Sequence, residues 1–341
     1  MKRKIVTAGD RVYLKYFDLQ FFHDKAREAQ AELIAFKGFD DREFKAVIAA
    51  ADALVVIDRP IRKDHLAVME HCRIIQALEV GYDFIDVQAA TQRGIIVSNV
   101  PAYGREQVAI HALTLLLACH RKIKQLMAET AGGGWDYNVC KPIPDLSTLT
   151  LGIVGLGKIG RSLAPKAQAL GLKVLAYDPY LDDDIFALLG VERCYDLEEI
   201  LLAVDFLSLH VPLTRETFHM IGQRELECLK PTAVLINTCR GRVVEEQALY
   251  QALQSDSLAA AGLDVLESEP PPADNPLLNC SKAIITPHTA WYSEQSTERL
   301  KEQGMDEVVR VLNGFRPRYA VNPEALFREK SASHQQYEVN Q

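Results

Sequence analysis

Three glycines, one acid and three polar loop residues are where this chain could do chemistry. Gly155, Gly157 and Gly160 stand in GxGxxG spacing directly after an apolar run, 150–154, and open a helical stretch, 158–170. A second strand-like run, 173–177, then leads to Asp178, 23 residues beyond Gly155. In that order each glycine has a task. Gly155 permits the tight turn, Gly157 lets the backbone approach a pyrophosphate, and Gly160 lets the helix pack on the strand. The first N–H groups of the helix would face the same pyrophosphate. Asp178 can accept hydrogen bonds from an adenosine ribose and would repel a 2′-phosphate, so the spacing favours NAD over NADP. A lone GxGxxG is weak, and a merely structural glycine turn is the alternative. Strand, helix, strand and acid in register make this a dinucleotide site.

Further along, loops after successive strands carry isolated polar residues, among them Arg240, Glu269 and His288. Beside a nicotinamide, these types suit carbonyl reduction. An arginine can hold a 2-oxo acid by its carboxylate and oxygen in a bidentate fork. A histidine can donate a proton as hydride arrives, and a glutamate bonded to it would fix the ring and favour the imidazolium. Singly, each has an ordinary reading: a solvated surface charge, an acidic turn before three prolines, a strand-end cap. Their joint placement in a dinucleotide fold is what points to catalysis.

The elements that must position these residues alternate between strand and helix. Before residue 100, strands are expected at 4–7, 32–36, 53–57, 74–78 and 95–98, with helices around 13–29, 41–51, 63–71 and 84–93. That pattern predicts a parallel sheet covered on both faces. It carries no glycine fingerprint, so it is the expected substrate domain, with ligand loops at 58–61 and 79–83. A long helix, 105–127, opens the second domain, followed by a glycine-rich arm bearing Trp135 and Tyr137. The arm can embrace a partner subunit or pack on its own domain. Strands at 206–211, 233–237, 259–265 and 283–286, helices at 224–229 and 245–254, and a last helix at 293–313 before Gly314 complete the sheet. The expected domains are 1–101 with 292–327 for substrate, 102–291 for NAD, and a disordered polar tail at 328–341.

Composition narrows the class. The chain has 341 residues and a formal net charge of −8, which suits two domains and offers no basic stripe for nucleic acid. Seven scattered cysteines, with no CxxC pair, speak against a disulfide framework or a zinc site and for a reducing compartment. The longest apolar run, 108–119, is too short to span a bilayer, and no signal segment is recognisable. A cytoplasmic protein without a metal or a membrane partner is expected.

Read together, these segments resemble the D-isomer-specific 2-hydroxyacid dehydrogenase family over about residues 1–327. The matching pieces are GLGKIG at 155–160, YDP at 177–179, HVPLT at 210–214, INTCRG at 236–241, AGLDVLESEP at 261–270 and TPHTAW at 286–291. The resemblance implies an α/β fold of two doubly wound parallel-sheet domains, a Rossmann cofactor domain inserted in a flavodoxin-like substrate domain. It implies Arg240, Glu269 and His288 as the catalytic trio, and an NAD site lined further by Lys158, Ile159, His210, Pro212, Thr238, Cys239 and Asp264. It also implies a homodimer formed through the cofactor domains. ESEP followed by PHTAWYSEQ is most similar to the C-terminal-binding-protein branch, the corepressors and their bacterial relatives, where a tryptophan at the position of Trp291 shapes the pocket.

Three positions depart from the family pattern. Ala77 stands where many relatives have arginine, Glu79 where they have glycine, and Ile110 where the long helix commonly carries glutamate. Backbone N–H groups of Val80, Gly81 and Tyr82 can still bind a substrate carboxylate, but a second anionic group would meet Glu79. Arg59 is either a contact to the substrate tail or a surface charge. The C-terminal regulatory domain of many relatives is also absent. The expected activity is NADH-dependent reduction of a 2-oxo acid to a D-2-hydroxy acid. The alternatives are an NAD-sensing, corepressor-like binding protein and a phosphite-type dehydrogenase.

Overall fold

A computed structural model describes residues 2–9 and 19–327. The chain divides into two compact units, Met1–Tyr103 with Glu294–Gln341, and Gly104–Ser293. Each is built on one parallel sheet.

The first sheet has five strands: β1 (Arg3–Gly9), β2 (Ala31–Phe36), β3 (Ala53–Ile57), β4 (Ile74–Ala77) and β5 (Ile96–Ser98). Their order is β2-β1-β3-β4-β5, the flavodoxin-like 2-1-3-4-5 winding. β3, β4 and β5 are buried at every position, as strands covered on both faces must be; β3 is a continuous apolar run, while β4 and β5 each carry one buried polar residue, Gln76 and Ser98. Two of the helices between them start on acidic caps. Asp40 accepts the Glu43 N–H at 2.8 Å and Asp86 the Ala89 N–H at 2.9 Å, filling donors that a helix start leaves open. The chain returns to this unit in the helix Glu294–Leu312, which stops at Gly314 with φ +90°, a glycine C-cap. Of the helix expected at 13–29, Leu19–Glu28 is helical; residues 13–18 and the tail at 328–341 lie outside the described residues.

The second sheet has seven strands: β6 (Thr150–Val154), β7 (Lys173–Tyr177), β8 (Glu192–Cys194), β9 (Phe206–Leu209), β10 (Val234–Asn237), β11 (Ala260–Leu263) and β12 (Ala283–Ile285). The order β12-β11-β10-β9-β6-β7-β8 is the Rossmann winding, with the direction of winding reversing between β6 and β9. That reversal opens a crevice at the strand C-termini. Apolar cores lie on both faces, one around Ile200, Leu235 and Leu253, the other around Leu116, Ile153 and Leu163.

Two expectations are corrected here. The helix expected over 105–127 is two helices, Arg105–His120 and Ile123–Ala131. Lys122, with φ +51°, turns the chain between them. The turn brings Lys124 to the carbonyls of Cys280 and Ala283, at 2.9 and 2.8 Å, contacts a straight helix would forgo. The region after Asp178 also holds more structure than its sequence suggested: helices Asp183–Leu189 and Leu197–Ala203 flank the edge strand β8.

Asn322 fastens the returning chain to β5. Fully buried, it accepts the Val97 N–H at 2.7 Å and donates to Thr91 Oγ1 and the Ile95 carbonyl at 2.8 and 3.0 Å. Asn322→Ala strands buried main-chain groups, each worth about 1–3 kcal/mol. The first unit should therefore unfold at clearly lower urea concentration, whereas an unchanged midpoint would mean that water replaces the amide.

Candidate active site

The glycine turn sits at the end of β6. Gly155 has φ +90°, and a Cβ there would lie 2.6 Å from the His210 carbonyl oxygen. The turn is therefore pressed against the loop that leaves β9, and only glycine fits. A Cβ on Gly160 would lie 2.4 Å from the Gly155 oxygen and 3.1 Å from Ile153 Cγ2, so the helix Lys158–Ala169 packs too close to β6 for any side chain. Over Gly157 a Cβ would meet nothing within 4 Å. That open space lies at the N-terminus of a three-turn helix, where an anion is stabilised.

On the other side, Asp178 follows β7. One carboxylate oxygen accepts the Leu156 N–H at 2.9 Å and the other the Tyr180 N–H at 3.1 Å. The acid is thus fixed against the glycine turn. His210 donates its main-chain N–H to Val154 at 2.8 Å, and its ring Nε2 lies 2.9 Å from Ser208 Oγ. Burial pushes this imidazole down to about 4, so it is neutral at physiological pH and carries no charge into the crevice. Thr238 is 7 % exposed, and its hydroxyl oxygen has no partner among the described residues. Burial also pushes the Cys239 thiol up to about 11, which keeps it protonated and unreactive. The Pro212 carbonyl accepts Thr217 Oγ1 at 2.6 Å. Lys158 is exposed and Ile159 half-buried on the first turn of the helix. The space over Gly157, the helix N-terminus, a neutral His210 and an orphaned Thr238 hydroxyl fit a dinucleotide of the NAD(P) type.

Arg240, Glu269 and His288 belong to the same unit, in loops after β10, β11 and β12. The β10 loop is braced from within: Asn237 Nδ2 donates to the Arg240 carbonyl at 2.9 Å, and Arg240 Nη1 to the Cys239 carbonyl at 2.9 Å. Gly241 fixes its position relative to the next loop. A Cβ there would fall 1.9 Å from the Leu266 carbonyl group, so the two backbones cross at contact distance. Glu269 reaches back within its own loop, Oε1 accepting the Leu266 N–H at 3.0 Å. Its Oε2 lies 2.6 Å from His288 Nδ1. Burial works to raise this carboxyl, but the His288 hydrogen bond and charge, the Leu266 N–H and the Arg240 charge together outweigh burial and hold it below the usual carboxylate value. Glu269 is therefore an anion at neutral pH, facing the imidazole.

His288 itself has φ +48°, a left-handed backbone that costs a non-glycine residue on the order of 1 kcal/mol or more. Asp264 holds it there. The Asp264 carbonyl accepts the His288 N–H at 2.8 Å. Its carboxylate, 1 % exposed, accepts Thr286 Oγ1 at 2.5 Å, the Thr289 N–H at 3.0 Å and the Ala290 N–H at 2.8 Å. His111, on the helix Arg105–His120, closes the network with Nε2 2.9 Å from Thr286 Oγ1. Trp291 completes the loop by donating Nε1 to the His288 carbonyl at 3.0 Å. Sequence reading gave Asp264 only a cofactor-lining part and overlooked Thr286, His111 and Gly241. The signals available were Thr286 two residues before His288, and a glycine directly after Arg240.

Val80, Gly81 and Tyr82 lie in the first unit, in the loop after β4. That loop is held by Asn99 Nδ2 on the Val80 carbonyl at 2.6 Å and by the Val100 N–H on Glu79 O at 2.9 Å. Glu79 accepts the Asp58 N–H at 2.7 Å, and Asp58 has φ +50°. Arg59 turns inward: its guanidinium carbon lies 3.8 Å from the Phe44 ring centroid and Nη1 donates to Gly38 O at 2.9 Å. Ala77 is fully buried in β4 and Ile110 is exposed.

Comparison with known proteins agrees with this geometry. Residues 113–290 match the family model of the D-isomer specific 2-hydroxyacid dehydrogenase NAD binding domain. Over 329 residues the chain is 37 % identical to a glyoxylate reductase of Korarchaeum cryptofilum, covering 95 % of each chain. Over 307 residues it is 37 % identical to a D-3-phosphoglycerate dehydrogenase of Methanocaldococcus jannaschii, covering 90 % of this chain and 58 % of that protein. Among solved structures, a D-lactate dehydrogenase from Aquifex aeolicus complexed with NAD and lactic acid superposes with a TM-score of 0.81 at 30 % identity, covering 92 % of this chain and 96 % of the other. With a dinucleotide crevice, a Rossmann winding and this extent of likeness, the chain belongs to the D-isomer-specific 2-hydroxyacid dehydrogenase family and is an NAD(P)-dependent oxidoreductase acting on a hydroxy-acid substrate.

Proposed function

We propose that this chain reduces a 2-oxo acid to the D-2-hydroxy acid with NADH, His288 acting as general acid, Glu269 as its partner and Arg240 as the group that orients the substrate. The observation that carries the reading is the 2.6 Å bond between His288 Nδ1 and Glu269. With Nδ1 bonded to a carboxylate, the ring is fixed in one orientation and Nε2 is the atom that delivers the proton to the forming alkoxide. The nicotinamide, when bound, supplies the hydride. Arg240 grips the carboxylate and the carbonyl oxygen and stabilises charge developing on that oxygen. Backbone N–H groups of Val80, Gly81 and Tyr82 are the proposed carboxylate donors from the first unit, and Trp291 the proposed wall for the substrate side chain, as in the C-terminal-binding-protein branch. NADH is preferred to NADPH because Asp178 accepts the ribose hydroxyls. The exposed Trp135 and Tyr137 suit an arm that joins two copies in a homodimer, and a reducing, cytoplasmic setting suits the cysteines.

The first unit also bears on substrate class. Arg59 is engaged by Phe44 and Gly38, Ala77 brings no charge, and Glu79 stands at the head of the loop. A substrate with a second anionic group finds a carboxylate there. Glyoxylate and hydroxypyruvate should therefore be turned over with higher kcat/KM than 3-phosphohydroxypyruvate, measured by NADH oxidation across a panel of 2-oxo acids. Tight NADH binding without turnover of any member would instead support an NAD-sensing, corepressor-like protein.

His288→Asn should lower kcat by roughly 100-fold or more, while the NADH Kd stays within about twofold; equal loss of both would make the histidine structural. Glu269→Gln tests the pair through pH. Reduction needs the imidazolium, so its rate falls as pH rises past the point where His288 loses its proton. The Glu269 anion favours the imidazolium, and without it the fall should begin at lower pH. A profile of kcat/KM against pH that keeps its midpoint in the variant would remove Glu269 from the mechanism.

A further inference from the structure

The loops on either side of the glycine turn are joined by a side-chain hydrogen bond. β6 lies between β7 and β9 in the sheet, so the loops leaving β7 and β9 start about 10 Å apart, two strand spacings. Each already touches the turn: Asp178 accepts the Leu156 N–H, and the His210 carbonyl oxygen lies 2.6 Å from where a Cβ of Gly155 would be. Farther out, Tyr180 OH donates to Glu216 Oε2 at 2.7 Å. Tyr180 is tied to the acid loop through its own N–H on Asp178 Oδ1. Glu216 is held in a hydroxyl-braced turn, with the Thr214 N–H on Thr217 Oγ1 at 2.8 Å and the Glu216 N–H on Thr214 Oγ1 at 3.2 Å. The Tyr180 residue is 81 % exposed, so burial in a core does not account for where it lies. The neighbouring carboxylate raises the phenol above its ordinary value and keeps it a donor. The adjacent Arg215 is exposed.

We propose that Tyr180 and Glu216 form a strap across the adenosine end of the cofactor site, retaining the adenosine and setting a second carboxylate beside Asp178 to select a bare 2′-hydroxyl. This deepens the reading of NADH as the preferred cofactor and rests on it. The strap links the loop that holds Asp178 to the turn that holds Glu216, which leave the strands on either side of β6. An exposed phenol ring in that position offers a flat face to a purine. Selection against a 2′-phosphate is then shared by two carboxylates, and removing Asp178 alone leaves part of it in place.

The test is binding without turnover, with NADH and NADPH as probes and their fluorescence on the protein as readout. Tyr180→Phe and Glu216→Ala should each raise the NADH Kd several-fold, through faster release in stopped-flow displacement. The double variant should be no worse than either single one, because both remove the same bond. In an Asp178→Asn background, Glu216→Gln should lower the ratio of NADPH Kd to NADH Kd by a further several-fold. NADH release unchanged in Tyr180→Phe would overturn the strap, and an unchanged ratio in the Asp178→Asn background would overturn the second carboxylate. Equal wild-type affinity for NADH and NADPH would instead overturn the underlying choice of cofactor, a result separate from the release rate of Tyr180→Phe.

Discussion

The site depends most on one buried carboxylate, that of Asp264. Hydrogen bonds to an ionised group contribute about 1.5–3 kcal/mol each, and this one accepts from Thr286, Thr289 and Ala290. The left-handed backbone of His288 costs on the order of 1–3 kcal/mol. These bonds oppose the strain and hold the loop after β12 in the conformation that sets the imidazole against Glu269. Glu269 is anchored in turn by the Leu266 N–H, and its loop is pinned beneath the Arg240 loop by the crossing at Gly241. The positions of Arg240, Glu269 and His288 are therefore set by a main-chain framework one layer behind their side chains.

The cofactor end is built on a different principle. There the chain withdraws side chains: no Cβ at Gly155 or Gly160, an open approach at Gly157, and an imidazole at His210 that burial keeps neutral. The helix N-terminus supplies the positive potential, which suits a pyrophosphate whose charge must be met without a tight ion pair.

Much of this was legible from residue order. β3, β6 and β7 run over the residues expected of them, because strands covered on both faces are built mainly of apolar residues. The GxGxxG spacing was legible, and Arg240, Glu269 and His288 stood out as candidates, because each depends on residue type at a strand end. What was not visible depended on tertiary demand. The break at Lys122 has no glycine or proline to announce it; Lys124 has to reach the Cys280 and Ala283 carbonyls, and no local propensity encodes that. The helix Leu197–Ala203 could have been found, since Asp196 three residues before Glu199 is a helix-start signature, and the Glu199 N–H does bond Asp196 at 2.7 Å. The part played by Asp264 was hidden for another reason: its partners are mostly main-chain N–H groups, which every sequence has.

The break at Lys122 also bears on local order. Ile123–Ala131 has nine residues, none of them buried, and a helix of that length is marginal in water by itself. Its order is borrowed through the ammonium group of Lys124 and the Gln125 amide, which donates to Ser281 at 3.1 Å. Such a segment opens without the sheet opening, so its amides should exchange with solvent long before those of β6 or β10. The unit thus has a rigid floor under the candidate site and, joined to it by a single turn, a helix whose structure is renewed from outside its own sequence.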